Sequence, residues 1–162
     1  MSDTKSPAKA FGEIAHKEAK AGSFVVCSVG KKVVIDSQGV GLSELKKAFA
    51  SDKVLFAAFN VHGVDERANV KSTRTKIIQI NWIGSDVAPM KKMGALSGKS
   101  KITKVFKGMA ATMNINEVDD LTVESIAKIL LASGGAHKPS YYLFGPDESE
   151  KYDLNFYSKD NK

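Results

Sequence analysis

Residues 54–61 constrain the fold of this chain more strongly than any other segment. Their sequence, Val-Leu-Phe-Ala-Ala-Phe-Asn-Val, places apolar side chains on both alternating faces of an extended strand. A strand that is apolar on both faces is typical of the centre of a sheet whose two sides are covered by helices. The segment therefore predicts a central strand with helices above and below it.

Turn, cap and periodicity signals predict the other elements around this strand. Before it they predict a helix from Ser6-Pro7 that ends by Gly22, strands over 23–29 and 32–36 that turn at Gly30-Lys31, and a helix with Ser43 as its N-cap. After it they predict a polar loop over 62–67, a strand over 75–83, a helix over 121–133 with Thr122 as N-cap and Gly134-Gly135 as its end, and a short strand over 141–144. These elements predict an α/β (α+β) fold, with a central mixed sheet of five to six strands and helices on both faces.

Residues 86–109 have a helical pattern, but their apolar side chains form two stripes. The first stripe contains Val87, Met90, Met93 and Leu96, and the second contains Ile102, Val105, Phe106 and Met109. On a helical wheel of about 100° per residue the stripes point in nearly opposite directions, so one straight helix cannot bury both. Gly94 and Gly98 weaken the helix between them by about 1 kcal/mol each relative to alanine. The sequence therefore predicts a kink or break near Ser97-Gly98.

The first stripe has two interpretations. Either the kink turns both stripes into the core, or Met90 or Met93 stays partly exposed as an adaptable apolar contact beside Lys91 and Lys92.

The length of 162 residues suits one domain. We expect an N-terminal arm over residues 1–7, a domain over 8–145 and a polar tail over 146–162 that is either mobile or folds back. The N-terminus has no signal-peptide pattern, and no apolar run approaches the ~20 residues of a spanning helix. The single cysteine, Cys27, excludes an intrachain disulfide, suits a reducing intracellular compartment and is predicted to be a buried structural thiol.

The formal net charge of +6 is concentrated in one segment. Residues 71–108 carry nine basic side chains against one acid, Asp86, and the rest of the chain is slightly acidic. Such a segment is either a surface for an acidic partner or a solvated face that keeps the protein soluble. Charge alone does not separate the two interpretations.

Motifs for catalysis or cofactor binding are missing from the sequence. His16, His62 and His137 fall on separate predicted elements without metal-ligand spacing, and no Gly-x-Ser-x-Gly motif occurs. Gly39-Val40-Gly41 precedes a helix as phosphate-binding loops do, but Glu44 stands in place of the third glycine and would repel a phosphate. We therefore predict a binding module rather than an enzyme, without cofactor or metal.

The order of the elements and one strand motif resemble a known family. Residues 74–84, Arg-Thr-Lys-Ile-Ile-Gln-Ile-Asn-Trp-Ile-Gly, look like a coactosin strand with its Trp-Ile-Gly ending. The similarity continues without gaps through Lys91-Lys92 and Lys99 to Val105. Over about residues 8–144 the chain resembles the actin-depolymerising factor homology domain that cofilins, coactosins, twinfilins and drebrin-type proteins share, with coactosins as the most similar subgroup.

The resemblance implies a protein of the cytoplasm and cytoskeleton that binds actin filaments in the coactosin manner, with little severing and with protection of ends from capping. In this family the long helix inserts between two actin subdomains, and basic strand residues bind the filament. We expect a monomer, with phosphoinositides as a further ligand class. The implied actin-binding residues are Arg74, Lys76, Met90, Lys91, Lys92, Met93, Lys99, Lys101, Glu124 and Lys128.

Two alternatives stay open. The Tyr-Tyr-Leu-Phe strand over 141–144 is more like the end of cofilins, which favours a severing and depolymerising factor that binds both monomeric and filamentous actin. The other alternative is an anionic phosphoinositide or nucleic-acid binding module that uses the same lysines, although no specific nucleic acid is expected.

Overall fold

Four helices and a seven-stranded sheet make up the described part of the chain. The structure is a computed structural model and describes residues 6–16, 18–67, 70–133, 139–145 and 151–153. In chain order the elements are α1 (Pro7–Ala15), β1 (Ser23–Val29), β2 (Val33–Val40), α2 (Leu42–Ala48), β3 (Val54–Arg67), β4 (Val70–Ile83), α3 (Pro89–Ile102), β5 (Ala111–Ile115), a 3-10 turn (Val118–Asp120), α4 (Val123–Ser133), β6 (Tyr141–Leu143) and β7 (Lys151–Asp153).

The sheet is mixed, as predicted. Its main path is β2-β1-β3-β4-β5, in which neighbours are antiparallel except for the parallel pair β4 and β5. β6 pairs with the outer half of β3, and β7 pairs with β6. The number of strands exceeds the predicted five to six because β5 and β7 were not predicted, although the residues of β5 alternate between apolar and polar side chains. Within the expected polar tail, residues 151–153 thus fold back onto the domain.

β3 is the central strand that its sequence predicts. Leu55, Ala57 and Phe59 join one core cluster together with residues of α2 and α4. Phe56 and Ala58 join a second cluster on the other face, with residues of α1 and α3. Because each fully buried large apolar side chain contributes about 1.5–3 kcal/mol, both clusters hold the sheet between its helices.

The predicted loop over 62–67 is wrong. These residues continue β3, and the ladder to β4 runs from Val54 paired with Ile83 to Arg67 paired with Val70. The prediction failed because the polar side chains of this part are typical of a loop, whereas pairing with neighbouring strands and the burial of Val64 hold the backbone extended. The result is a long antiparallel arm that β6 braces on one edge.

Several predicted ends are also corrected. α1 ends at Ala15 instead of reaching Gly22, and β2 continues to Val40 instead of ending near residue 36. α2 begins at Leu42, with Gly41 at the N-cap in place of Ser43. Gly41 has a φ of +105°, a conformation that favours glycine.

Two predicted helix starts are confirmed by their hydrogen bonds. The Lys9 amide donates to Ser6 Oγ at 3.1 Å at the start of α1. At the start of α4, the Ser125 amide donates to Thr122 Oγ1 and the Thr122 amide donates to Ser125 Oγ, both at 3.0 Å. The predicted end of this helix at residues 134–135, His137 and most of the N-terminal arm lie outside the described residues.

The sequence predicted a kink or break near Ser97-Gly98, and the break is absent. α3 runs without interruption from Pro89 through Gly98 to Ile102, and Thr103 is its C-cap. Ile102 and Phe106 are buried, so the second stripe reaches the core partly from the turn after the helix. Within the first stripe, Val87 is buried, whereas Met90 and Met93 lie in solvent, so the helix does not bury both stripes completely.

Cys27 is buried in β1, as predicted. Burial, with a smaller effect of the Asp36 carboxylate, raises the pKa of its thiol to about 12. A thiol with so high a pKa is almost entirely protonated at neutral pH and does not act as a nucleophile.

His62 predicts a pH dependence of stability. Burial lowers the pKa of this imidazole below 6.5, more than a hydrogen bond with the Ala19 backbone raises it, and its buried Nε2 has no partner among the described residues. Because the pKa is lower in the folded state, the neutral form stabilises the fold above pH 6.5, and this contribution is lost as pH falls through the folded pKa. We expect the free energy of unfolding, measured with urea, to fall between pH 7 and pH 5.

A His62→Phe variant should show a smaller decrease over this range, whereas His16→Gln, at an exposed position, should behave as the wild type. An unchanged decrease in His62→Phe would assign the pH dependence to other groups.

Candidate functional site

The basic segment is divided between two elements, the outer part of β4 and helix α3. On β4, Arg74 is exposed and Lys76 is partly exposed. Side chains alternate along a strand, so both point to the sheet face that also carries Ile78 and Ile80. Those isoleucines belong to the cluster covered by α2 and α4, which places Arg74 and Lys76 on the same face as α4.

α3 packs on the sheet only through its second half. Ala95, Gly98 and Ile102 are buried, whereas every residue from Pro89 to Gly94 is exposed. Its N-terminal half therefore diverges from the sheet and offers its side chains to solvent. The N-cap, Ala88, provides no side-chain hydrogen bond to this end.

The exposed half carries two methionines. Met90 is 84% exposed and Met93 is 78% exposed, the highest fractions among the large hydrophobic side chains of the described residues. At 100° per residue the two lie on one side of the helix, turned away from the buried stripe of Ala95, Gly98 and Ile102. The interpretation that a methionine stays exposed is confirmed for both, while their role as contacts stays a prediction.

Lysines stand on either side of this methionine pair. Lys91 borders a groove between α3 and the strands β1 and β3. Lys92 borders a second groove beside β4 and β5, whose wall includes Asn81 and Asn114 joined by an amide hydrogen bond of 2.9 Å. Both lysines are exposed, so the pair adds two positive charges around an apolar patch.

The remaining predicted residues differ in how freely they reach solvent. Lys99 is half-buried in the second half of α3. Lys101 donates from Nζ to the carbonyl oxygens of Gly30 at 2.8 Å and Lys31 at 3.3 Å, so it fastens α3 to the β1–β2 turn. Glu124 and Lys128 are exposed one turn apart on α4. The predicted set thus separates into two surfaces, which share neither an element nor a face of the sheet.

We call these the α3 surface, formed by Met90, Lys91, Lys92, Met93 and Lys99, and the β4–α4 surface, formed by Arg74, Lys76, Glu124 and Lys128.

One further exposed residue, Val70, lies at the start of β4 and is 68% exposed. Sequence reasoning missed it because the strand was predicted to start only at residue 75.

The described residues give no support for a metal site, a phosphate-binding loop or a membrane-spanning helix. They contain no group of three or more His, Cys, Asp or Glu side chains that could hold a metal ion. A Cβ on Gly39 would lie 2.8 Å from the Phe24 ring, so this glycine is needed for packing. No helix in the described ranges is long and apolar enough to span a membrane.

A mixed sheet with two helices on each face and a long helix with a projecting end is the fold of the actin-depolymerising factor homology class. The chain belongs to the family described as cofilin/tropomyosin-type actin-binding protein, which it matches over residues 4–130. This is a family of actin-binding proteins, with coactosins among the similar members.

Three relatives illustrate the similarity. Coactosin of Dictyostelium discoideum is 27% identical over 107 residues, which cover 65% of this chain and 70% of that protein. The crystal structure of coactosin from Entamoeba histolytica has a TM-score of 0.66 at 25% identity and covers 80% of this chain and 94% of that one. Mouse coactosin, described as an actin filament binding protein, has a TM-score of 0.61 at 23% identity and covers 79% of this chain and 87% of that one.

Proposed function

We propose that this protein binds the sides of actin filaments in the manner of coactosins, severs them little and protects their ends from capping proteins. It acts as a monomer in the cytoplasm, at the cytoskeleton. The observation that carries the proposal is the exposed pair Met90 and Met93 between Lys91 and Lys92, on a helix end that projects from the domain.

The chemistry of the α3 surface suits an acidic protein partner with an apolar cleft. Methionine side chains are flexible and polarisable, so they adapt to a partner's surface. Residues that dominate binding energy lie at the centre of an interface, surrounded by contacts that exclude water. Actin is acidic, and the flanking lysines would speed the encounter and orient the docking helix.

The β4–α4 surface offers a second contact to a filament, because a filament presents neighbouring actin subunits to one bound molecule. Lys76 pairs across the ladder with Val61, and Arg74 pairs with Gly63, so a rigid two-stranded arm holds both basic side chains. A rigid support lowers the ordering cost of a contact. Arg74 and Lys76 would therefore add affinity for filaments over monomers.

Co-sedimentation with actin filaments tests the proposal. The wild type should pellet with filaments at low salt, and Lys76→Ala should weaken its affinity about 3- to 10-fold without changing its thermal unfolding. Lys107→Ala is the matched control, since Lys107 is an exposed lysine of the same basic segment but of neither surface. Absence of wild-type pelleting would reject filament binding, and full affinity of Lys76→Ala would reject the β4–α4 surface.

The cofilin-like alternative is supported by the C-terminal strand β6, which resembles the end of cofilins. A severing factor would bind monomeric as well as filamentous actin and increase the number of filament ends. Imaging of filament lengths in the same samples separates the two: decoration with stable lengths supports the coactosin manner, and rapid shortening supports severing.

The alternative of a phosphoinositide or nucleic-acid binding module is tested with the same protein. Pelleting with phosphoinositide vesicles beside actin would identify a second ligand of the lysines. Binding to mixed nucleic acid with a steep salt dependence, without binding to actin, would replace the proposal.

A further inference from the structure

A groove lies beneath the N-terminal half of α3, on the side of the helix that faces the sheet. It encloses about 410 Å³, a volume within the usual range for small-molecule sites. Its apolar lining on the sheet side includes Val29, Val54 and Phe56, and the helix side includes Lys91 and Gly94. Met90 and Met93 do not line it, so it is distinct from the exposed methionine patch.

Two glycines explain why the groove is open at one end and closed at the other. At Gly98 the helix touches the sheet, since an added Cβ would lie 3.1 Å from Phe56 Cε2 and 3.5 Å from Val29 Cβ. One turn earlier, at Gly94, an added Cβ would meet no atom within 4 Å. The helix therefore diverges from the sheet toward its N-terminus, and the missing side chain at Gly94 leaves a flat backbone wall.

The groove carries more positive than negative charge. Lys53 forms an ion pair with Asp36 at 3.6 Å, and these two charges compensate one another at the rim. Lys91 has no ionic partner among the described residues, so one positive charge is left over beside an apolar floor. A ligand that matches this lining combines an apolar body with a single negative charge.

We propose that this groove binds a small aromatic anion, a flat ring system that carries one carboxylate or sulfonate. The ring lies between the backbone of Gly94 and the floor formed by Val54 and Phe56. The anionic group lies at the Lys91 ammonium. The site goes beyond the proposed binding of actin, because it uses the inner side of α3 and requires no protein partner.

Fluorescence titration tests the site with two dyes that share the same rings. The first is 8-anilinonaphthalene-1-sulfonate, which carries the anion, and the second is N-phenyl-1-naphthylamine, which is uncharged. The wild type should bind the sulfonate dye saturably at one site and about tenfold more tightly than the uncharged dye. The uncharged dye is the more hydrophobic of the two, so non-specific adsorption would give the opposite order.

Substitutions on α3 place the dye in the groove. Gly94→Leu fills the open space and should abolish saturable binding, whereas Ser97→Leu adds the same side chain at an exposed position outside the groove lining and should retain it. Lys91→Met keeps an apolar stem without the charge and should remove the preference for the sulfonate dye. Met90→Ser should leave both affinities unchanged, because this methionine lies outside the groove.

Binding of the sulfonate dye to Gly94→Leu at wild-type affinity, or an unchanged preference in Lys91→Met, would overturn the proposal. Circular dichroism checks that each variant is folded. Lys91 is exposed, so Lys91→Met should not disturb the fold. The preference of this variant for the two dyes therefore tests the site even if Gly94→Leu perturbs the helix. No actin is present in this assay, so its outcome is independent of the proposed filament binding.

Discussion

Replacement of Met90 and Met93 together by serine should lower the affinity for actin filaments about 30-fold, with no loss of folded stability. A 30-fold loss corresponds to about 2 kcal/mol, the size expected when central interface residues are removed. Stability should change by less than about 0.5 kcal/mol, because both side chains are mostly in solvent and contribute little to either core cluster. Quantitative co-sedimentation and urea unfolding measure the two effects.

Val34→Ser is the matched control. Val34 is another exposed large hydrophobic residue, 46% exposed on β2, which belongs to neither proposed surface. Its replacement also removes an apolar side chain from solvent but should leave pelleting unchanged. Wild-type affinity of the double serine variant would mean that α3 does not provide the apolar contact, and it would leave the β4–α4 surface as the main candidate.

Gly84→Ala should destabilise the protein by about 3 kcal/mol and lower its melting temperature by about 10 °C. Gly84 ends the Trp-Ile-Gly motif, and a Cβ there would overlap the carbonyl oxygen of Ser51. Neither backbone can move aside easily. The Gly84 amide donates to the Lys53 carbonyl at 3.0 Å, and the Asp86 amide donates to the Ser51 carbonyl at 2.8 Å.

The tryptophan of the motif stabilises the same junction. Trp82 Nε1 donates to the Ala50 carbonyl at 2.7 Å, and the indole stacks on Phe49 with ring centroids 4.8 Å apart. The motif therefore fastens the end of β4 to the segment between α2 and β3. In this protein the Trp-Ile-Gly ending of the strand motif therefore has a structural role.

Gly94→Ala is the control for the general effect of replacing a glycine by alanine. Because an added Cβ at this exposed helical position meets no neighbour, alanine should stabilise the protein by about 0.5–1 kcal/mol. Differential scanning calorimetry of both variants should show opposite shifts. A melting temperature of Gly84→Ala equal to that of the wild type would show that the junction relaxes without cost.

The parts of the fold that follow from local periodicity were predictable. The two-faced apolar pattern of residues 54–61 identified the central strand, and Thr122 and Ser6 identified two helix starts. The arm formed by residues 62–67 was not predictable from its polar side chains, since pairing with β4 and β6 holds it extended. β5 was not predicted either, although Ala111, Met113 and Ile115 alternate with two polar residues, and the parallel ladder to β4 holds these five residues extended.

The candidate site was also predictable only in part. The sequence located the basic segment and the two opposed stripes of residues 86–109, and it left open whether both stripes would be buried or whether Met90 or Met93 would stay exposed. The structure decides this because α3 meets the sheet only from Ala95 onward, so Met90 and Met93 project into solvent. It also separates Lys101, which bonds to the β1–β2 turn, from Lys91 and Lys92, which remain exposed.

By itself, the sequence determined the fold class, the central strand and the concentration of positive charge, because these depend on the order and spacing of residue types along the chain. Only the tertiary structure decided which lysines are free, which glycines are contacts and where a groove opens. The groove and the exposure of the methionines depend on where α3 leaves the sheet. That point is set by the close approach of Gly98 to Phe56 and Val29, residues distant in sequence that only the folded chain brings together.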